Sequence, residues 1–177
     1  RFPHDTFKHF TADSIKRNDA FLTNEMKEYI ADYDNATLYN DYVMSRIFDT
    51  FKDSNTVLIY FSDHGEEAYD YRKQCGRDYG KITPMGLKYY FEVPFMVWCS
   101  DAYKQKHQDV VDRIRQAVDH PFVLDNIHHI LFELGGVKTS YYNDNLNLIS
   151  PYYECNERFI KLVSGEFVYE KIRYTGE

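Results

Sequence analysis

The sequence predicts an α/β layered fold, a sheet with helices on both faces. Three observations carry that expectation. Apolar residues recur at three- to four-residue steps over a long stretch before residue 53, two short apolar runs follow, and two more helical patterns come after the second run. Continuous apolar runs read as strands covered on both sides, the pattern of a parallel sheet under helices.

Residues 1–19 mix Pro3, aromatics and charges without a clear period and read as irregular. Thr23 is a candidate N-cap, with Glu25 and Glu28 in a first turn where the helix dipole favours acids. Met26, Ile30, Tyr33, Thr37, Met44, Ile47 and Phe51 then mark one long helix over 24–52, its period broken at Asn40. Asp53-Ser54-Asn55 is a turn cluster, and Thr56 to Phe61 reads as a buried strand. A long polar loop is expected over 67–90, punctuated by Gly76, Gly80, Pro84 and Gly86. Val93 to Trp98 reads as a second buried strand, with Pro94 at its tolerated first positions. Val110, Val111, Ile114, Ala117 and Val118 mark one amphipathic helix. Leu124, Ile127, Leu131 and Leu134 mark another, stopped by Gly135-Gly136. Segments 158–163 and 167–174 around Ser164-Gly165 predict a terminal β-hairpin.

Composition excludes several classes. The chain has 177 residues with 17 Tyr and 13 Phe, an aromatic load that intrinsic disorder does not carry. That length suits one domain, or the larger part of one, and buries about 70% of the unfolded surface without needing disulfides. A net charge of -7 argues against a general nucleic-acid binder, which shows a basic stripe. No apolar run approaches the roughly 18 residues that span a bilayer. Cys75, Cys99 and Cys155 are widely spaced with no CxxC, which speaks against a zinc finger or a redox dithiol; one disulfide and one thiol, or three thiols, both stay open. The first residue is Arg1, and the expectation is a piece of a longer chain.

The chemistry concentrates in Ser62-Asp63-His64-Gly65-Glu66, directly after the first apolar run. Ligands of open α/β sheets bind beyond the carboxyl ends of strands. A carboxylate and a neutral imidazole side by side at such an end are both good zinc ligands. Gly65 is expected to turn the chain sharply, and Glu66 adds an acid within reach. The plainer alternative is an Asp–His pair that caps a strand end.

This segment resembles the metal motif of the sulfatase-like branch of the alkaline phosphatase superfamily. The closer likeness is to the phosphoethanolamine transferases that modify lipid A in Gram-negative envelopes. Tyr33-Asp34-Asn35-Ala36-Thr37-Leu38-Tyr39-Asn40-Asp41 resembles their Tyr-Asp-Asn pattern, and Arg1-Phe2-Pro3 with Phe7 and Phe10 is similar to their Arg-Tyr-Pro with trailing phenylalanines. Val93 to Trp98 and Asp125-Asn126-Ile127-His128-His129 resemble their Val-Pro strand and Asp-Asn-x-x-His helix.

The resemblance implies an alkaline phosphatase-like fold, with residues 1–177 forming the C-terminal portion of a catalytic domain. It implies a zinc-dependent transfer of phosphoethanolamine from a phospholipid donor to lipid A or another glycan, at the periplasmic face of the inner membrane. Asp63 and His64 match two zinc ligands. The nucleophilic Thr and the other ligands belong to the family's earlier half, as do the membrane helices, so this piece alone is expected to be inactive. The chain departs from the family in one loop, where a further His is usual and Gln74-Cys75-Gly76-Arg77-Asp78-Tyr79-Gly80 has none. Arg77 there is either a two-point clamp for phosphate or sulfate, or a solvated loop arginine; Cys75 is an alternative ligand. Asp34 and Asn35 are candidates to brace the metal loop, while His128 and His129 read as packing or capping residues. A sulfatase or phosphodiesterase, and a non-catalytic binding module, are the rival readings. A sheet stripped of its first strands is expected to self-associate through the exposed edge at 56–61.

Overall fold

The computed structural model describes residues 3–78, 83–154, 157–162 and 165–170. In chain order its elements are α1 (Asn24–Phe51), β1 (Val57–Phe61), β2 (Glu67–Ala68), β3 (Cys75–Gly76), α2 (Pro84–Phe91), β4 (Phe95–Cys99), α3 (Asp101–Lys106), α4 (Gln108–Gln116), α5 (Ile127–Leu134), β5 (Phe159–Leu162) and β6 (Gly165–Val168). They form two compact units, one of residues 1–53 and 64–93, the other of 54–63 and 94–177.

In the first unit α1 starts as the sequence predicts: the Thr23 hydroxyl accepts from the Met26 amide at 3.3 Å. Only Ile30, Ala31 and Asn35 of this helix are buried. Tyr33 and Phe51 of the expected apolar stripe stand exposed, and of that stripe only Ile30 is fully buried. Asn35 explains how the irregular N-terminal segment is held. Its side-chain oxygen accepts from the amides of His9 and Phe10, both at 2.8 Å, and its Nδ2 donates to the Phe10 carbonyl at 2.9 Å. The fully buried amide thus has its oxygen and its nitrogen both bonded to one strap of backbone. Phe7 lies edge-on against Tyr39 beyond it.

The expected loop over 67–90 is more ordered than a loop. β2 and β3 pair antiparallel, Glu67 with Gly76 and Ala68 with Cys75. Arg17 clamps the turn between them, donating to the carbonyls of Tyr69 and Asp70, both at 2.7 Å. Residues 84–91 form α2, capped by Thr83, whose hydroxyl accepts from the Gly86 amide at 3.0 Å. A Thr-Pro start followed by Leu87, Tyr90 and Phe91 is a helix signal that the glycines masked.

In the second unit β1 and β4 run antiparallel, with Val57 opposite Cys99, Ile59 opposite Val97 and Phe61 opposite Phe95. This differs from the parallel pairing that the apolar runs suggested. Among the described residues the pair has one ladder, and most of its residues are half-buried. On one face, Ile59 and Phe95 pack on a cluster of Ala117, Ile130, Leu148 and Ile149, and Val57 and Val97 on a second of Cys99, Tyr103 and Val111. Alternate residues of a strand face opposite ways, so Met96 on the other face is exposed. Ser100 sets the register: its Oγ accepts from the Thr56 and Tyr103 amides and donates to the Ser54 carbonyl, so the residue that caps α3 also fastens the start of β1.

His128 and His129 behave as the sequence implied. His128 donates to the Asp125 carbonyl at 3.0 Å, and buried His129 accepts from the Asn143 amide at 3.3 Å. Arg113 and Asn147 both bond Glu133, tying α4, α5 and the segment at 147–149 together. The terminal hairpin is present as β5 and β6, with Phe159 opposite Val168; its turn at 163–164 and the stretch from 171 lie outside the described residues.

Candidate metal centre

Asp63 and His64 follow β1 directly. The Ser62 amide still bonds the Pro94 carbonyl at 3.4 Å, one step past the ladder, and the next residue, Asp63, is exposed. His64 is half-buried, and its Nδ1 lies 3.2 Å from the Gly65 carbonyl. A carbonyl only accepts, so Nδ1 is the donor in this contact. A backbone carbonyl on one ring nitrogen is a common way of orienting a histidine that ligates through the other.

Gly65 is required for a different reason from the expected one. Its φ is not among the positive ones. A Cβ at Gly65 would instead lie 2.0 Å from the Tyr89 carbonyl oxygen. The close approach lets the Gly65 amide donate to the Tyr90 carbonyl at 2.9 Å. The glycine therefore presses the loop onto the end of α2.

Glu66 is half-buried, and its charge adds to burial in raising the Tyr29 phenol above its usual range. Its neighbour Glu67 was not singled out by the sequence, yet it is the centre of the loop. Its side chain is completely buried and takes two parallel bonds from Arg72, 2.8 Å from Nε and 2.5 Å from Nη2, plus one from the Tyr90 hydroxyl at 2.8 Å. The hydrogen bond and charge of Glu67 raise the Arg72 pKa. An ionised carboxylate removed from water needs such a set of donors. No spacing rule announces it, because Tyr90 is 23 residues away.

Arg77 is exposed, just past β3. The residue after it, Asp78, donates its amide to the same Tyr90 hydroxyl at 2.9 Å. Cys75 is a free thiol engaged with Tyr69, whose phenol is pushed up to about 12 by that hydrogen bond and by burial. Cys99 is also a free, buried thiol, while Cys155 lies outside the described residues. Asn35, expected as a brace for the metal loop, is instead engaged with the His9–Phe10 strap. Asp34 does sense this region, its carboxyl raised by burial and by Asp70.

Among the described residues no three His, Cys, Asp or Glu side chains cluster closely enough to hold a metal. Asp63 and His64, one carboxylate and one imidazole, are donor types that fit zinc in kind, and a four-coordinate zinc needs two more. No helix among the described residues is long and apolar enough to cross a membrane.

Comparison with known proteins agrees with the motif. A sulfatase family model matches residues 1–137. The phosphoethanolamine transferase EptC of Escherichia coli is 32% identical over 164 residues, covering 90% of this chain and 27% of that protein. The Kdo(2)-lipid A phosphoethanolamine 7''-transferase of Salmonella typhimurium is 28% identical over 94 residues, covering 52% of this chain and 16% of the relative. The crystal structure of the C-terminal periplasmic domain of EptC from Escherichia coli, a complex with zinc, superposes with a TM-score of 0.77 at 29% identity, over 99% of this chain and 49% of that one. The chain thus spans about a quarter of the EptC sequence and about half of its solved domain. That fold match, the family model and the Asp63-His64-Gly65-Glu66 motif together place this chain in the sulfatase family, among homologues that are phosphoethanolamine transferases.

Proposed function

We propose that residues 1–177 are the C-terminal portion of the catalytic domain of a zinc-dependent phosphoethanolamine transferase. The complete enzyme would move phosphoethanolamine from a phospholipid to lipid A or another envelope glycan, at the periplasmic face of a bacterial inner membrane, anchored by helices outside this chain. The observation that carries the reading is the Asp63–His64 donor pair directly after β1, with the His64 Nδ1 against the Gly65 carbonyl.

In this reading Asp63 and the Nε2 of His64 are two of the zinc ligands, and the remaining ligands and the nucleophile lie outside these 177 residues. Zinc, when bound, neutralises phosphate oxygens and lowers the pKa of the attacking group. Glu66 and Arg77 serve the substrate. Phosphoethanolamine carries an anion and a cation, and these two side chains offer one charge of each sign: the guanidinium takes phosphate oxygens in two-point fashion and the carboxylate takes the ammonium. The piece alone is inactive, because two protein ligands do not complete a zinc site.

In the complete enzyme, Asp63→Ala or His64→Ala is expected to lower transfer by about 100-fold or more, to lower zinc content, and to leave the melting temperature within a few degrees of wild type. Wild-type turnover in either variant would sink the assignment. The match to the sulfatase family model supports a second reading, a hydrolase, which predicts product release without an acceptor; a non-catalytic module predicts neither activity nor zinc. The isolated chain is expected to self-associate, because β1 and β4 form a pair with Phe61 and Met96 exposed. Sedimentation as a monomer at high concentration would contradict this.

A further inference from the structure

Each of the three candidate residues in the first unit stands next to a backbone or side-chain group bonded to Tyr90. His64 precedes Gly65, whose amide donates to the Tyr90 carbonyl at 2.9 Å. Glu66 lies between Gly65 and Glu67, and Glu67 accepts from the Tyr90 hydroxyl at 2.8 Å. Arg77 precedes Asp78, whose amide donates to that hydroxyl at 2.9 Å. Tyr90 is 1% exposed and sits on the last turn of α2. Its hydroxyl proton goes to the Glu67 carboxylate, so its oxygen is left to receive the Asp78 amide, with the Arg72 guanidinium 3.4 Å away. A buried tyrosine needs one partner for its hydroxyl; this one spans the two arms of the loop.

We propose that Tyr90 is a positioning residue: its hydroxyl sets the separation of the two arms that carry Glu66 and Arg77, and its carbonyl separately holds Gly65 and with it His64. The inference rests on the transferase reading and assigns different tasks to two atoms of one residue. The carbonyl serves the metal ligand, and the hydroxyl serves the substrate side.

Tyr90→Phe in the complete enzyme removes the hydroxyl and keeps the carbonyl. The KM for a phosphatidylethanolamine donor should rise about tenfold, the scale of one lost hydrogen bond between buried groups. Zinc affinity, measured by chelator competition, should stay within about twofold of wild type. Amide exchange at Asp78, followed in the zinc-free protein, should speed up about tenfold or more. Combined with Glu67→Gln, the two KM effects should be less than multiplicative, because both act through one bond. If Tyr90→Phe fails to fold, Glu67→Gln alone carries the test with the same readouts. An unchanged KM, or unchanged exchange at Asp78, overturns the inference. A loss of zinc affinity matching the rise in KM also overturns it, since the two atoms would then not act separately. Failure of the transferase reading is distinct: it shows as wild-type turnover in Asp63→Ala, whatever Tyr90→Phe does.

Discussion

Each unit contains a glutamate paired with an arginine, fully buried in one and half-buried in the other, and the two pairs differ in what they hold. Glu67 and Arg72 are five residues apart and close a loop upon itself beside the candidate metal ligands. Glu133 and Arg113 are 20 residues apart and join α5 to α4, with Asn147 and Tyr142 also on the carboxylate. Glu67 is completely dry, whereas the side chain of Glu133 keeps 21% of its surface in water. The same ion pair thus serves in one place to shape a loop and in the other to fasten helices. A dry charge depends on its partner far more than a wet one does.

That contrast can be broken directly. Arg72→Ala leaves Glu67 uncompensated and is expected to cost about 3–5 kcal/mol. Arg113→Ala should cost less, about 1–3 kcal/mol, because Glu133 keeps water, Asn147 and Tyr142. Urea unfolding of each variant measures both, and equal losses would remove the distinction.

A smaller effect sharpens it. Burial, and then the neighbouring His128, lower the His129 pKa in the second unit. A lowered folded pKa means that the neutral form is favoured by folding. The contribution is therefore present above about pH 6.5 and is lost as pH falls through the folded value. His129→Asn keeps an acceptor for the Asn143 amide and does not titrate. Its melting temperature should fall less than that of wild type between pH 7.5 and 5.5, and identical falls would contradict the assignment.

The parts of the molecule legible in the sequence are those encoded by neighbours. Thr23 and the Asp53–Asn55 turn bound α1 because caps and turns are local. The continuous apolar run Val57–Phe61 marks β1, and Asp63 and His64 follow its end. Strand direction was not legible: an apolar run carries no sign of parallel or antiparallel pairing. Glu67, Arg72 and Tyr90 were illegible for another reason. They look like ordinary polar loop residues until the fold brings α2 against β2. Asn35 was noticed by its motif but misassigned, since nothing local shows that its amide bonds His9 and Phe10.

The 2.0 Å between a Cβ built at Gly65 and the Tyr89 carbonyl has a consequence for anyone transplanting this site. The segment from His64 to Glu67 and helix α2 are one exchangeable cassette. A graft that carries the four loop residues into another scaffold without residues 84–91 leaves the glycine with no surface to press on. Conversely, in any lineage the loop and the helix have to drift together, since neither can change its spacing alone.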